Sequence, residues 1–319
     1  MAGNAVLLKP APSTPASALA LQDILNRAGA PVGLFQNLFI DNEQVGRAIA
    51  DPRVAAVTLT GSERAGETVG RAAGAALKPA VLELGGSDPL IVMPSAHFDA
   101  AVGAAVLARH QKNGQSCVCA KRILIHQDIY PRFWDTFVSA VGALRVSDPV
   151  AQDTDVGPLA SFEARAHLAN QVERMRKQGG TVLIGGKAPE GPGAFYLPTV
   201  IEGLPCEAAM RHEELFGPVA MLLSFGDISE AIAIANETPF GLGSCVWTTD
   251  RQEQRDFAEH LDFGMTFVNS ITASDPLLPF GGVKRSGFGR ELGKWGILEF
   301  VNTRTILEAA SGPFHIDRP

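Results

Sequence analysis

The sequence predicts an α/β protein in which helices cover a mainly parallel sheet, and three observations support this. Short apolar runs with strand character alternate along the chain with segments whose apolar residues recur at helical spacing. Successive strands are joined through helices, which is typical of parallel pairing. The chain has 319 residues, 46% of them hydrophobic, which is enough for one large domain or two smaller ones.

The first 85 residues show this alternation. Residues 6–8 form an apolar run that predicts a strand. Thr14 and Pro15 are typical of a helix start and Gly29 of a helix end. Between them runs an apolar stripe at helical spacing, formed by Leu21, Ile24, Leu25 and Ala28. The elements predicted next are a strand over 33–40, a helix over 44–50, a strand over 54–59, a helix from Ser62 to about Ala76 and a strand over 80–84.

The remaining residues continue in the same way, with glycine-rich loops predicted over 185–198 and 279–289. Helices are predicted over 98–110, over 131–144 with Phe133, Phe137 and Val141 on one face, around Leu168, Val172 and Met175, and over 228–236, 251–261 and 292–298. Strands are predicted over 122–126, 181–184, 219–225, 244–248, 265–269 and 300–307.

Composition excludes several classes of function. The net charge of −7 gives no reason to expect binding to nucleic acid or to an anionic membrane. No apolar run reaches the length of a membrane span, and the first residues do not resemble a signal peptide. Four scattered cysteines predict a reducing, cytoplasmic location without disulfides. Cys117 and Cys119 lack a second ligand pair at metal-binding spacing, so we expect no metal site.

Two motifs carry chemistry. Residues 113–117 (Asn-Gly-Gln-Ser-Cys) place a thiol after a glycine turn, and residues 83–86 (Glu-Leu-Gly-Gly) place a carboxylate at a strand end. A thiol can attack a carbonyl, and a carboxylate can activate the water that hydrolyses the thioester formed. The alternatives are a packed cysteine and a solvated carboxylate. Gly61 and Ser62 lie at a strand-to-helix turn, where backbone N–H groups can hold a pyrophosphate, although the chain lacks a Gly-x-Gly-x-x-Gly fingerprint.

Together with four further motifs, these segments resemble the aldehyde dehydrogenase superfamily over nearly the whole chain. The motifs occur in family order over residues 9–10, 59–62, 83–86, 114–117, 213–218 and 279–287. Residues 267–270, 273–276 and 287–292 are most similar to the succinate-semialdehyde dehydrogenase branch. The resemblance implies an aldehyde-dehydrogenase-like α/β fold with a partial Rossmann-type, parallel-sheet cofactor domain (1–85), an α/β catalytic domain (86–285) and a C-terminal return to the cofactor domain with an oligomerisation strand (286–319).

The resemblance also implies a reaction, the oxidation of a small aldehyde to its acid with NAD or NADP. Cys117 is then the nucleophile, its backbone N–H an oxyanion donor, and Glu83 the base that activates water. The cofactor residues that the resemblance implies are Lys9, Gly61, Ser62, Leu84, Gly85, Glu214 and Phe216. A homo-oligomer, either a dimer or a tetramer, is implied through a C-terminal strand over 300–307, which could instead be an ordinary edge strand.

Some positions depart from the family pattern. Pro12 stands where many NAD-selective members have an acidic residue, so NADP is not excluded. Gln111 stands where some succinate-semialdehyde enzymes have an arginine that binds the substrate carboxylate, whereas Ser274 matches a carboxylate-binding position. Arg109 or Lys112 could replace that arginine, although a solvated surface charge is the simpler interpretation.

The nucleophile stands at residue 117 of 319, much earlier than in the family, so we expect an N-terminally truncated chain. The missing portion normally supplies an asparagine that is the second oxyanion donor, whose loss costs about 10²–10³ in rate. Two alternatives therefore stay open. One is a catalytically incomplete fragment or pseudoenzyme, and the other is a cysteine hydrolase that uses Cys117 and Glu83 without a nicotinamide cofactor.

Overall fold

The computed structural model describes residues 2–308, which form fourteen strands and nine α-helices. The strands are β1 (Val6–Leu8), β2 (Phe35–Asn37), β3 (Val57–Thr60), β4 (Ala80–Glu83), β5 (Asp88–Val92), β6 (Ala120–His126), β7 (Thr181–Ile184), β8 (Thr199–Glu202), β9 (Val219–Phe225), β10 (Phe240–Gly241), β11 (Gly243–Trp247), β12 (Met265–Val268), β13 (Val283–Lys284) and β14 (Gly287–Phe288).

The helices lie between these strands. They are α1 (Pro15–Arg27), α2 (Asn42–Ala50), α3 (Glu63–Ala75), α4 (Phe98–His110), α5 (Tyr130–Gly142), α6 (Phe162–Lys177), α7 (Ile228–Asn236), α8 (Arg251–His260) and α9 (Gly293–Leu298). Short 3-10 turns cover Gln111–Gly114 and Ala209–His212. Within residues 2–308, no helix has both the length and the apolar character needed to cross a membrane.

The largest sheet has seven strands in the order β12-β11-β5-β6-β9-β8-β7, and all neighbours are parallel except β7, which runs antiparallel to β8. Helices cover both of its faces. Leu90 and Val92 pack with residues of α4 and α5, whereas Ile91 packs with residues of α6, α7 and α8. Alternate strand residues point to opposite faces, so strand β5, which is buried on both sides, is apolar after its first residue.

A smaller sheet holds the predicted general base. Strand β4 pairs in parallel with β3 and antiparallel with β14, giving the order β14-β4-β3. Glu83 is the last residue of β4 and stands opposite Gly287 in β14. A return of the chain to residues 80–83 agrees with the predicted role of the segment after 285, while the domain boundaries at 85/86 and 285/286 stay predictions.

Most of the predicted elements are confirmed. The first strand, the helix over 98–110, the strands over 181–184 and 219–225 and the helix over 228–236 have the predicted bounds. The predicted apolar face of α5 is buried, as are Leu168, Val172 and Met175 in α6. Ser62 caps α3 as predicted, because its hydroxyl accepts a hydrogen bond from the Ala65 backbone N–H at 3.4 Å.

The structure differs from the predicted elements in several places. Helix α1 forms as predicted, but its apolar stripe is largely exposed, with Leu21 43% and Ile24 58% exposed. The first two strands form a separate parallel pair and do not join β3 and β4 in one sheet. The sequence analysis also missed β5 and β8, whose short apolar runs lack the alternation that marks a half-buried strand.

Two further differences concern the C-terminal region. The predicted glycine-rich loop over 279–289 contains the short strands β13 and β14. Residues 300–307 do not form a strand in the single chain, and the residues from 301 to 308 are exposed. A strand is defined by hydrogen bonds to a neighbour, so an apolar extended segment without a neighbouring strand in the same chain is not one.

We expect Gly287→Ala to destabilise the protein by about 2 kcal/mol or more, because its backbone is strained for any residue with a Cβ. Gly287 has φ +113°, and a Cβ there would lie 1.8 Å from the Leu82 carbonyl oxygen. Thermal unfolding measures the effect. The matched control is Gly74→Ala inside α3, where a Cβ meets no atom within 4 Å, so this variant should be at least as stable as the parent. Equal melting temperatures for the two variants would contradict the prediction.

Candidate active site

The two predicted chemical motifs meet at a contact between backbones. A Cβ at Gly86 would lie only 2.7 Å from the carbonyl oxygen of Cys117. No side chain fits there, so the loop after β4 can lie directly against the loop that carries the cysteine. The structure therefore brings together the residues 83–86 and 113–117, which are about thirty residues apart in sequence.

The loop before Cys117 has an unusual backbone. Lys112, Asn113 and Gly114 have φ values of +51°, +59° and +72°, so three successive residues are in the left-handed region. Only glycine adopts it without cost, and asparagine is the next most tolerant of these residues. The Asn113 side chain is held at both ends, because its Oδ1 accepts from Gly157 N–H at 2.7 Å and its Nδ2 donates to Pro158 O at 3.1 Å.

Arg109 fixes this loop from inside the protein. Its side chain is completely buried, and its Nη2 donates to the carbonyl oxygens of Gly114 at 2.6 Å and Gly217 at 2.8 Å. Burial lowers the pKa of this guanidinium, while nearby carboxylates and a thiol oppose the effect. Arg109 is therefore neither a solvated surface charge nor a cation free to bind a substrate, and both interpretations of it were wrong. Lys112 is exposed, which agrees with a solvated charge.

The Cys117 thiol is partly accessible and packs against Leu242, Met265 and Phe280. Burial raises its pKa above the usual value of 9.0, Lys121 lowers the pKa, and the carboxylates of Asp88, Glu214 and Glu83 raise it further. The thiol is thus partly accessible, and Lys121 is the cation that favours its thiolate against the effects of burial and of the three carboxylates.

Glu83 is buried with only 2% of its surface exposed, and neither carboxylate oxygen has a hydrogen-bond partner. Burial raises the pKa of this carboxyl from 4.5 to about 8, with a smaller contribution in the same direction from Glu291 and an opposing one from Arg290. A carboxyl in this setting can hold a proton near neutral pH and release it again. Glu83 is therefore not the solvated carboxylate of the alternative interpretation.

Glu214 lies in the loop before β9 and connects it to the loops that carry Gly86 and Cys117. Its Oε1 accepts a hydrogen bond from Gly86 N–H at 3.0 Å and lies 3.5 Å from the Lys121 ammonium. A Cβ at Gly85 would lie 2.5 Å from Glu214 Oε2, so the glycine makes room for this carboxylate. The neighbouring Phe216 is 42% exposed, which is unlike a core residue.

Residues at the N-terminus of α3 suit a bound pyrophosphate. Gly61 and Ser62 are both exposed immediately before this helix of thirteen residues, whose first N–H groups point out of its end. Leu84 is buried, and its backbone N–H donates to Ser286 O at 2.9 Å. Lys9 is half-buried directly after β1. These positions fit a nicotinamide dinucleotide, whose phosphates would lie at the helix end.

The two predicted substrate residues differ in their settings. Gln111 stands at the end of α4, and its Nε2 is buried without a hydrogen-bond partner, so it offers a free donor. Ser274 is exposed in the loop after β12. Among residues 2–308, no hydrogen bond joins Ser274 to Gln111, Cys117 or Glu83, so the structure does not place the two predicted carboxylate-binding side chains in contact.

Lys121 and Asp88 were not predicted as site residues and Arg109 was predicted wrongly, although all three are fully buried near the cysteine. Asp88 accepts from Gly243 N–H at 3.1 Å, and burial raises its pKa to about 7. The available signal was a charged residue inside each apolar run, which is unusual unless the charge is paired. Across residues 2–308, no group of three or more His, Cys, Asp or Glu side chains could hold a metal ion.

Comparison with known proteins identifies the fold and the family. Residues 1–306 match the aldehyde dehydrogenase family. The chain belongs to this family. Membership confirms the predicted α/β fold and the predicted class of aldehyde-oxidising enzymes.

Two relatives illustrate the similarity within the aldehyde dehydrogenase family. The protein named succinate-semialdehyde dehydrogenase (NADP⁺) 1 of Mycobacterium tuberculosis is 54% identical over 306 residues, which are 96% of this chain and 67% of that relative. The corresponding protein of Mycobacterium leprae is 52% identical with the same coverage. The chain thus spans about two thirds of the length of these relatives.

Solved structures of other proteins agree with this fold. A succinic semialdehyde dehydrogenase of Streptococcus pyogenes in complex with NADP⁺ superposes with a TM-score of 0.94 at 36% identity, covering 97% of this chain and 68% of that one. The lactaldehyde dehydrogenase of Escherichia coli superposes with a TM-score of 0.93 at 34% identity, covering 95% and 64%. Family members with different substrates thus share this fold.

We expect the stability of Glu83→Gln relative to the parent to increase as pH rises from about 4.5 and to level off above about 8. The folded state holds the proton up to about pH 8, whereas the unfolded carboxyl releases it near 4.5. The folded state therefore binds more protons between these values, so stability falls as pH rises from about 4.5 and levels off above about 8. A glutamine at position 83 does not ionise, so the variant does not undergo this loss of stability.

Melting temperatures of the parent and of Glu83→Gln across this pH range measure the effect. The control is Glu190→Gln in an exposed loop, for which the difference from the parent should stay constant. A pH-independent difference for Glu83→Gln would contradict the assigned burial of an unpaired carboxyl.

Proposed function

We propose that this protein oxidises an aldehyde, with succinate semialdehyde as the substrate, to the carboxylic acid with NADP. The observation that carries the proposal is the contact at Gly86, because the loop that follows the buried Glu83 lies there against the backbone of Cys117. Family membership supports the reaction class. The names of the relatives support both the substrate and the cofactor.

In the first step, the Cys117 thiolate attacks the aldehyde carbon and forms a thiohemiacetal. The carbonyl oxygen becomes an oxyanion and needs hydrogen-bond donors. The Cys117 backbone N–H is one candidate, since no acceptor in residues 2–308 takes its hydrogen bond. The buried Gln111 Nε2, which also lacks a partner, is a donor available to the substrate.

In the second step, hydride leaves the thiohemiacetal and a thioester to Cys117 remains. The bound nicotinamide supplies the acceptor for this hydride. Our assignment of cofactor residues places the pyrophosphate at Gly61 and Ser62, the adenosine ribose at Lys9, and the nicotinamide ribose at Glu214. Leu84, Gly85 and Phe216 would complete the site that holds the cofactor. Glu214 suits its role because its carboxylate is partly exposed while Gly86 N–H and Lys121 orient it.

In the third step, Glu83 removes a proton from water, which attacks the thioester and releases the acid. The raised pKa of about 8 makes this carboxylate a stronger base than an ordinary one. Neither of its oxygens has a hydrogen-bond partner, so either can accept a hydrogen bond from a water molecule that enters the site. The thiolate of Cys117 is regenerated as the leaving group, so the protein ends the cycle as it began.

The choice of NADP over NAD is supported by two observations. Pro12 carries no charge at a position where a carboxylate would repel a 2′-phosphate. The mycobacterial relatives carry NADP⁺ in their names, and the streptococcal structure was solved with NADP⁺. We therefore narrow the sequence-based expectation of NAD or NADP to NADP.

The proposed substrate is supported more by the names of the relatives than by the side chains of this site. Gln111 and Ser274 are neutral and can bind a carboxylate only through hydrogen bonds, which are weaker than an ion pair with arginine. The structural similarity to a lactaldehyde dehydrogenase supports a second candidate, a small uncharged aldehyde. The two candidates differ in one carboxylate, so a comparison of matched substrates separates them.

Our proposal extends to assembly and location. Strand β12 is one of the two edges of the seven-stranded sheet and pairs only with β11 within residues 2–308. Such an edge can accept a strand from a second copy, which supports a homo-oligomer, either a dimer or a tetramer. All four cysteines are free thiols, as expected of a cytoplasmic protein.

We expect aldehyde-dependent formation of NADPH that exceeds formation of NADH. Absorbance at the reduced nicotinamide band measures both, with succinate semialdehyde and with an uncharged aldehyde of the same length. Cys117→Ala should abolish turnover, while Cys206→Ala, an exposed cysteine far along the chain, is the matched control and should not. Turnover without a nicotinamide cofactor would favour a cysteine hydrolase, and folded protein without any turnover would favour a catalytically incomplete chain.

We expect Glu83→Gln to lower steady-state turnover by about 10²–10⁴-fold, because the amide cannot take a proton from water. One equivalent of reduced cofactor should still form rapidly, since the first two steps do not need this base. In the parent protein, turnover should rise with pH toward about 8 as Glu83 becomes ionised. Stopped-flow absorbance checks both, and loss of the initial burst in Glu83→Gln would assign this residue to an earlier step.

A further inference from the structure

The charged side chain of Lys121 lies beside the nucleophile and contacts more than the Glu214 carboxylate that it orients. It stands at the start of β6, four residues after Cys117, and is completely buried. Its ammonium donates to the backbone carbonyl oxygens of Cys117 at 2.6 Å and Ser116 at 2.9 Å. The third contact of the ammonium is Glu214 Oε1, at 3.5 Å.

The charges around the cysteine explain why a cation is needed there. Three carboxylates face this region from separate elements, namely Asp88 at the start of β5, Glu214 in the loop before β9, and Glu83 at the end of β4. Each of them disfavours a second negative charge on the Cys117 sulfur. Lys121 is the positive group that opposes these carboxylates by lowering the pKa of Cys117. Together with Arg122, it also lowers the pKa of Asp88.

We propose that Lys121 is a positioning residue that fixes the two carbonyl groups of the nucleophile loop and offsets the negative charge of Glu214 and Asp88, so that Cys117 reacts as its thiolate. The proposal rests on the proposed role of Cys117 as nucleophile. Lys121 does not touch the reacting atoms in this arrangement, because its three contacts are already assigned to two carbonyl groups and a carboxylate.

The shared contact with Glu214 gives the arrangement a further consequence. The same carboxylate that we assign to the nicotinamide ribose is held by Gly86 N–H on one side and by Lys121 on the other. Removing the charge of Glu214 should therefore lower the pKa of the Cys117 thiol, whereas removing the charge of Lys121 should raise it. This reciprocity separates an electrostatic role from a purely structural one.

The experiment measures alkylation of Cys117 by iodoacetamide in the full chain, without aldehyde or cofactor, between about pH 6 and pH 11. Fragmentation mass spectrometry of the peptide that holds Cys117 and Cys119 separates the two thiols. We expect Lys121→Met to move the midpoint of the pH profile upward and to slow alkylation at neutral pH by about tenfold. Lys121→Arg should keep the midpoint near that of the parent.

The matched control is Lys112→Met, which removes the same charge from an exposed side chain of the same loop and should leave the profile unchanged. Glu214→Gln should move the midpoint downward, and the double variant Lys121→Met with Glu214→Gln should return toward the parent. An unchanged midpoint in folded Lys121→Met, verified by circular dichroism, would overturn the proposal.

If Lys121→Met does not fold, Glu214→Gln still decides the question, because an unchanged midpoint there would equally refute the charge balance. The readout does not require turnover. A chain that fails to oxidise aldehydes can still show these shifts, so the failure of the proposed dehydrogenase activity and the failure of this inference are distinguishable.

Discussion

The site depends on the approach of two backbones at Gly86, where a Cβ would lie 2.7 Å from the carbonyl oxygen of Cys117. This contact places the end of β4 against the loop before β6, although the two strands belong to different sheets. The proposed joint action of Cys117 and Glu83 depends on this contact, because a buried carboxyl can serve a thiol only if the two are near each other. The glycine is required by geometry, which no other residue can satisfy there.

Cations hold this junction together by binding backbone oxygens. Arg109 donates to carbonyl groups of the loop before Cys117 and of the loop after Glu214, and Lys121 donates to the carbonyl of Cys117 itself. Both side chains are fully buried. A buried charge is tolerated only when its hydrogen-bonding groups are largely satisfied, so each of them fixes several carbonyl groups at once. Glu83 is the opposite case, a buried carboxyl without a partner, and its raised pKa reflects that.

The sequence predicted elements well where a helix face or a strand had a clear period. Phe133, Phe137 and Val141 repeat at helical spacing and are buried together. Prediction failed where the local pattern does not report burial. The apolar stripe of α1 is largely exposed, and the continuous apolar run of β5 was missed although it lies in the middle of the seven-stranded sheet. A short apolar run has no period, so only its neighbours decide that it is a strand.

The sequence by itself determined the family, the order of most elements and the pairing of a candidate nucleophile with a candidate base, because motifs and helical periods are local properties. Only the tertiary structure decided which charged side chains belong to the site. Arg109, Lys121 and Asp88 are ordinary charged residues in the sequence, and burial alone makes each of them part of the site. Burial is set by residues far apart along the chain, such as Gly217 and Gly243, which contact these side chains only after folding.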